Sequence, residues 1–148
     1  MIFMGIRMLY ELGSGVTYVR KRLTEKVKEK INEASGIGLE ITYLGIKDRR
    51  DFYRRLFENP NGYDIAILHL SGFNTYNIQK DSFTFAEEIR RRTDFSGKLV
   101  AESSAFGYDT DTVLRYFDHC TDVLSYSSII FVNFLKELRY LPEDFELP

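Results

Sequence analysis

Apolar residues along the chain follow two alternating patterns. Short runs of β-favouring residues alternate with stretches in which apolar residues recur every three or four positions, as on one face of a helix. The run from Ser71 to Asp81 is polar and is predicted to be a loop. The pattern predicts strands over residues 2–12, 39–46, 64–70, 98–102 and 122–126, and helices over residues 16–34, 49–58, 82–92, 110–117 and 128–140.

Strands that alternate with helices favour a parallel sheet with right-handed crossovers and helices on both faces. We therefore predict a three-layer, doubly wound α/β fold with a sheet of five parallel strands. The chain has no linker long enough to divide it, which predicts a single domain over residues 1–148. Hydrophobic residues make up 44% of the chain and charged residues 28%, as in other globular proteins.

The composition argues against several kinds of site and partner. Cys120 is the only cysteine and the histidines are two, so one chain cannot build a disulfide framework or a cysteine- or histidine-rich metal site. We expect no metal and no cofactor. The net charge of −2 argues against nucleic acid as a partner. No apolar run reaches the roughly 20 residues that cross a bilayer, so we expect no membrane partner and a cytoplasmic location.

Polar residues are concentrated where the predicted strands end. Ligands of open parallel sheets bind beyond the carboxyl ends of the strands. These residues therefore line a ligand cleft, or they are the caps and turns that strand-to-helix loops require in any case. The candidates for ligand binding are Glu11, Gly13, Ser14, Gly15, His69, Ser71, Glu102, Ser103, Ser104 and Tyr126.

Two chemistries are conceivable among these residues. The Gly-Ser-Gly run at 13–15 could offer backbone N–H groups to a phosphate at the start of the first helix, although a tight turn explains its glycines equally well. His69 and Glu102 could form a hydrolytic triad with a serine at position 103 or 104. No GxSxG motif marks a nucleophilic serine, and a histidine at a strand end is more often structural. We therefore predict no catalytic residue.

Arginines cluster in three places, at residues 20–22, 49–55 and 90–92. The second and third clusters would lie on the same side of the predicted sheet, where they could bind the phosphates of nucleic acid. Alternatively, they are solvated helix faces with acidic neighbours such as Asp51 and Glu58. The negative net charge favours the second interpretation.

The middle of the chain resembles the receiver domains of two-component response regulators. An apolar strand led by an aspartate, Asp64 to Leu70, is followed after a loop by a helix that ends in Ile89-Arg90. In receivers the corresponding strand ends in the aspartate that accepts a phosphoryl group. The resemblance implies the same flavodoxin-like fold, with the strand order 2-1-3-4-5, and a regulatory role.

The chain departs from the receiver pattern where receivers are phosphorylated. The acidic pair that holds Mg²⁺ in receivers falls on Tyr10 and Glu11, and the phosphoacceptor falls on His69. The lysine position falls on Tyr126, whereas Ser103 keeps the hydroxyl of the switch residue. Mg²⁺ prefers carboxylate oxygens, and a neutral imidazole is a poor ligand for it. The resemblance therefore implies a pseudo-receiver that is not phosphorylated.

The last predicted helix carries more apolar residues than the single stripe that a surface helix buries. Ser127 or Ser128 is its predicted N-cap. Receivers commonly pair through their fourth and fifth helices, so the resemblance implies a homodimer. Alternatively, the segment 142–148 folds back over the surplus apolar surface. The candidate dimer contacts are Tyr116, Phe117, Phe131, Phe134 and Leu135.

The predicted function is a non-catalytic regulatory or protein-interaction module. It would be a dimeric pseudo-receiver that acts by binding a protein partner of unknown identity. The alternative is a protein that binds a small phosphate-bearing ligand or a nucleotide at the carboxyl ends of the strands, either as a binding protein or as an enzyme. Nucleic-acid binding through the arginine clusters ranks third.

Overall fold

The structure is a computed structural model. It describes residues 5–12, 17–45, 48–70, 76–103 and 109–148. Within these ranges the strands are β1 (Gly5–Leu12), β2 (Gly38–Gly45), β3 (Ile65–Leu70), β4 (Lys98–Ser103) and β5 (His119–Thr121). The α-helices are α1 (Thr17–Ser35), α2 (Arg49–Glu58), α3 (Tyr76–Arg92), α4 (Thr110–Val113) and α5 (Ser128–Glu137), and two 3₁₀ turns span Pro60–Gly62 and Leu124–Tyr126.

The strands form one parallel sheet in the order β2-β1-β3-β4-β5. Helices α1 and α5 pack on one face of the sheet, and α2, α3 and α4 pack on the other. This arrangement confirms the predicted flavodoxin-like fold and its strand order. No helix of the described chain combines the length and the apolar character that crossing a bilayer requires.

The central strands are buried on both faces, as the continuous apolar run in β3 predicts. Successive side chains of a strand point to opposite faces of a sheet. In β1, Met8 and Tyr10 therefore pack towards α1 and α5, whereas Leu9 packs towards α2 and α3. The same alternation in β3 and β4 decides which polar side chains meet at the carboxyl ends of the strands.

Two predicted elements are wrong in position, and the helix predicted over residues 110–117 is shorter than expected, because it ends at Val113. Helix α3 begins at Tyr76 rather than at residue 82, because polar residues are compatible with a helix and the apolar pattern shows only where a helix faces the core. The fifth strand covers His119–Thr121 rather than residues 122–126. The apolar pair Val123 and Leu124 is fully buried, but the chain buries it in and beside a 3₁₀ turn. Burial alone did not specify a strand.

Helix α5 and the C-terminal segment contribute to the same apolar core. Helix α5 begins after Ser127, whose hydroxyl accepts the Ile129 N–H at 3.0 Å, so the predicted N-cap is confirmed. Beyond the helix, Leu141 is buried, and Phe145 and Leu147 pack partly buried against the core to which α5 contributes. That this segment covers the surplus apolar surface of α5 itself stays a prediction.

Four of the five candidate dimer contacts are not at the surface. Phe117, Phe131, Phe134 and Leu135 are between 0% and 4% exposed in the folded monomer, because they fill the core on either side of the sheet. A contact between two folded copies cannot use these side chains, and the fifth candidate, Tyr116, is half-buried. The homodimer itself stays a prediction and would need another surface.

Removing the aromatic and aliphatic contacts of the C-terminal segment should destabilise the whole domain. We expect the double variant Phe145→Ala/Leu147→Ala to lose about 1–3 kcal/mol of unfolding free energy, because both side chains are partly buried against the core. Urea unfolding followed by far-ultraviolet circular dichroism measures this loss. The control is Glu146→Ala, which changes an exposed residue between them and should be nearly neutral. Equal stability of the two variants would show that the segment does not contribute to the core.

Candidate functional site

The carboxyl ends of the central strands carry two separate buried networks, one on each face of the sheet. Tyr10, His69 and Glu102 point towards α1 and α5, and Glu11 points towards α2 and α3, as strand alternation requires. The expectation of a single cleft that holds Glu11, His69 and Glu102 together is therefore wrong. Of the other candidates, Gly13, Ser14, Gly15, Ser71 and Ser104 lie outside the described residues.

The first network is an ion pair between Glu11 and Arg49. The Glu11 carboxylate is fully buried and accepts two hydrogen bonds from Arg49, at 3.0 Å from Nε and 2.9 Å from Nη2. It also accepts the backbone N–H of His69 at 3.2 Å. Arg49 Nη2 additionally donates to the buried Ser82 hydroxyl at 2.7 Å, and its guanidinium lies 5.4 Å from the centre of the Phe85 ring. This network ties β1 and β3 to α2 and α3.

Burial and Arg49 act on Glu11 in opposite directions. Removal from water raises the pKa of Glu11, because a low-dielectric interior disfavours a charged carboxylate. The hydrogen bonds and the positive charge of Arg49 oppose this rise but do not cancel it. Glu11 therefore depends on Arg49 for its charge in the interior, and it has no oxygen that is free of a protein partner.

The second network is centred on Glu102, which is 1% exposed. Its Oε2 accepts a short hydrogen bond from the Tyr10 hydroxyl and another from the Leu124 N–H at 3.1 Å. Its Oε1 lies 3.2 Å from Nδ1 of His69, which faces it across the β3–β4 pair. Because a carboxylate only accepts hydrogen bonds, this contact places the His69 proton on Nδ1. Glu102 thus joins three strands to the 3₁₀ turn.

Tyr10 is the hydroxyl donor in this network. Burial, and secondly the negative charge of Glu102, raise the pKa of the Tyr10 phenol far above its ordinary value. The hydroxyl therefore keeps its proton at neutral pH and donates it to Glu102. Tyr10 also packs 6.0 Å from the Tyr43 ring, which further fixes its position.

Neither carboxylate is available to a metal ion. Each one is enclosed and accepts three protein hydrogen bonds, so a cation would have to displace Arg49 or Tyr10 to reach it. In the part of the chain that the structure describes, no three histidine, cysteine, aspartate or glutamate side chains converge. The networks can therefore hold strands and helices together, but in this state they cannot supply the oxygen ligands that Mg²⁺ requires.

Two further candidates lie apart from both networks. Tyr126 is in the 3₁₀ turn and is 60% exposed. Because β5 ends at Thr121, Tyr126 does not follow that strand directly, and its assignment to the receiver lysine position is corrected. Ser103 is the residue after Glu102, so alternation directs its side chain to the opposite face of the sheet. His69, Glu102 and Ser103 therefore do not form a triad.

The sequence indicates Glu11, His69 and Glu102 as site residues but not their partners. Arg49 belongs to a cluster predicted to be a solvated helix face, and Tyr10 stands where the resemblance implies an acidic residue. Alternation along β1, β3 and β4 would have placed Tyr10 with His69 and Glu102. Nothing in the sequence distinguishes Arg49 from its neighbours, because the reach of its side chain to Glu11 depends on how α2 docks.

The remaining arginines of α2 form a solvated helix face. Arg54 pairs with Asp51 and with Glu58, and Arg55 Nε lies 3.0 Å from Asp51. The guanidinium groups of this pair lower the pKa of the Asp51 carboxyl. The interpretation of this cluster as a helix face with local acidic partners is confirmed for Arg54 and Arg55. Arg49 differs, because it pairs with the buried carboxylate of Glu11.

Comparison with known proteins supports the fold and nothing more specific. No protein-family model matches the sequence, and no curated protein matches it. Among solved structures, the chain is similar to the crystal structure of a 3-dehydroquinate dehydratase-like protein from Bifidobacterium longum, with a TM-score of 0.51 and 12% sequence identity. The similarity covers 96% of this chain and 100% of that chain. At this level of identity it shows a shared α/β fold alone.

Proposed function

We propose that the chain is a non-catalytic protein-interaction module built on a receiver-like fold, a pseudo-receiver that is not phosphorylated. One observation carries the proposal. Both carboxylates at the carboxyl ends of the central strands are enclosed and bound by internal donors, so the place where receivers carry out their chemistry is here part of the core.

The nature of the donors supports this proposal. Glu11, the one carboxylate left of the acidic pair that the resemblance implies, is neutralised by Arg49. The phosphoacceptor position holds His69, whose ring is 5% exposed and bound to Glu102. A phosphoryl group would have to enter a site whose two carboxylates already accept hydrogen bonds from internal donors and are not free to hold Mg²⁺. Any regulatory role would then act through the protein surface.

Phosphodonor chemistry tests the proposal directly. Incubation with acetyl phosphate and Mg²⁺ is expected to leave the intact mass of the protein unchanged, whereas one phosphoryl group would add about 80 Da. An active receiver domain treated in the same way provides the positive control. A stable adduct on this chain, located on His69 or Glu11 by peptide mass analysis, would contradict the proposal.

The fixed imidazole of His69 favours one alternative, a ligand-binding or catalytic site that uses this ring. In many enzymes the general base is a histidine of which a carboxylate holds one ring nitrogen, and here Glu102 holds Nδ1 of His69 in this way. Thermal unfolding with inorganic phosphate and with nucleotides separates the two functions, since a ligand of the folded state raises Tm. A rise in Tm that His69→Asn abolishes would support the alternative; no rise across the panel supports the interaction module.

A further inference from the structure

Exposed apolar side chains gather at one corner of the molecule. Among the described side chains, seven large hydrophobic residues are exposed, and five of them lie in the first half of α1 or in the segment from the 3₁₀ turn to the start of α5. Helix α1 packs against this turn and against α5, so the two groups are neighbours. We call this surface the α1 corner; its residues are Tyr18, Val19, Leu23, Tyr126 and Ile129.

The core does not need these side chains. The apolar repeat of α1 predicts that Val19 and Leu23 face the sheet together with Val27 and Ile31, but they are 46% and 43% exposed, whereas Ile31 is fully buried. Tyr18 and Ile129 are 73% and 70% exposed. Single exposed apolar residues are ordinary, but a group on adjoining elements is typical of a binding surface.

Basic residues outnumber acidic residues along most of α1. Residues 17–30 include six basic and two acidic residues, in a chain whose net charge is −2. Glu25, one of the two acidic residues, already pairs with Lys28 at 2.6 Å. The exposed Arg22 and Lys26 form no ion pair with any residue that the structure describes. Arg22 and Lys26 are four residues apart on the helix, where like charges repel each other, and an anionic partner would offset this cost.

We propose that the α1 corner binds an acidic amphipathic peptide segment of a protein partner. The apolar side of the segment would cover Tyr18, Leu23 and Ile129, and its carboxylates would meet Arg22 and Lys26. A second copy of this chain fits less well, because a two-fold contact through the corner would bring the same cations together. The inference rests on the proposed function, since it names the partner of the interaction module.

The probe for this proposal is a set of fluorescein-labelled helical peptides that carry leucines on one side and glutamates on the other. Fluorescence anisotropy measures binding, and amide chemical shifts show where the peptide lies on the protein. We expect shifts at Tyr18, Val19, Leu23 and Tyr126, and a loss of binding when about 1 M salt screens the charges. A peptide with lysine in place of every glutamate is expected not to bind.

Matched variants separate the corner from the rest of the surface. Leu23→Asp is expected to weaken binding at least about tenfold, because it removes apolar contact and adds a repelling charge. Its control is Leu114→Asp, directly after α4, where the leucine is 46% exposed, a close match to Leu23. Arg22→Glu/Lys26→Glu should also weaken binding about tenfold. Its control is Arg91→Glu/Arg92→Glu, which reverses two exposed charges on α3 and should change peptide binding little.

Other outcomes would overturn the proposal in recognisable ways. Binding to anionic lipid vesicles without binding to any peptide would assign the corner to a membrane surface. A concentration-dependent dimer that Leu23→Asp dissociates would assign it to a second copy. Failure of every acidic peptide to bind overturns the proposal outright. None of these results touches the proposed function, which fails only through a phosphoryl adduct or a ligand at His69.

Discussion

Replacing Arg49 with methionine is expected to destabilise the folded chain by about 3–5 kcal/mol at neutral pH. The change leaves Glu11 without the guanidinium that pairs with it, in a position where its side chain is fully buried. Ser82 loses its donor as well. Truncating one partner of a buried ion pair costs far more than the pair contributes, because the other charge is left without solvent or partner.

The unfolding free energy lost in Arg49→Met should depend on pH. The ionisation of Glu11 determines whether this loss grows or shrinks as the pH rises. A carboxyl whose pKa is higher in the folded chain than in the unfolded chain contributes stability below its unfolded pKa, and loses it as the pH rises through the folded pKa. Burial raises the pKa of Glu11 and Arg49 opposes the rise, so removal of Arg49 raises it further. We therefore expect Arg49→Met to be less damaging at about pH 5 than at about pH 8.

Two further variants isolate the ion pair. Arg50→Met removes an exposed arginine next in sequence and is expected to be close to neutral. The double variant Glu11→Gln/Arg49→Met removes both charges, so it should recover much of the stability that Arg49→Met loses and should lack the pH dependence. Urea unfolding at the two pH values measures all four proteins. If the double variant is no more stable than Arg49→Met, the buried charge of Glu11 is not the cause of the loss.

The pattern of apolar residues was sufficient to predict the sheet but not the site. Continuous apolar runs and helical repeats are local properties, and a parallel sheet follows from alternating elements and right-handed crossovers, whereas the strand order was implied by the resemblance to receivers. The strand-end residues Glu11, His69 and Glu102 were predicted from their place in the sequence alone. Their partners were not, because the pairing of Glu11 with Arg49 brings together residues 38 positions apart through the docking of α2.

The errors at the C-terminal end have a different physical origin. An excess of apolar residues on α5 shows that something must cover them, but the sequence does not show whether a second copy or the chain itself does so. In the structure Leu141, Phe145 and Leu147 pack in the same core as α5. Conversely, the apolar repeat of α1 indicates a buried stripe, yet Val19 and Leu23 are 46% and 43% exposed. The apolar repeat shows which face of a helix packs against the protein, but it does not show how much of that face the neighbouring elements cover.

Replacing Glu102 with alanine is expected to cost about 3–5 kcal/mol of unfolding free energy. The change removes the acceptor of Tyr10, His69 and the Leu124 N–H at once, and each of these donors is buried. Glu102→Gln keeps the shape and one acceptor oxygen, so it should lose only about 1–2 kcal/mol. Lys98→Ala, at the exposed start of the same strand, is the control.

The same variants connect the core to the proposed docking surface. Glu102 holds the amide of Leu124, and the turn that begins there carries Tyr126 of the α1 corner. In Glu102→Ala the Leu124 amide should exchange its hydrogen faster under conditions where the rest of the sheet stays protected, whereas Glu102→Gln should retain most of the protection. Binding of the acidic peptides should weaken in the same order. If Leu124 exchanges no faster than the amides of β4, the turn is held by its packing alone, and Glu102 has no part in presenting the corner.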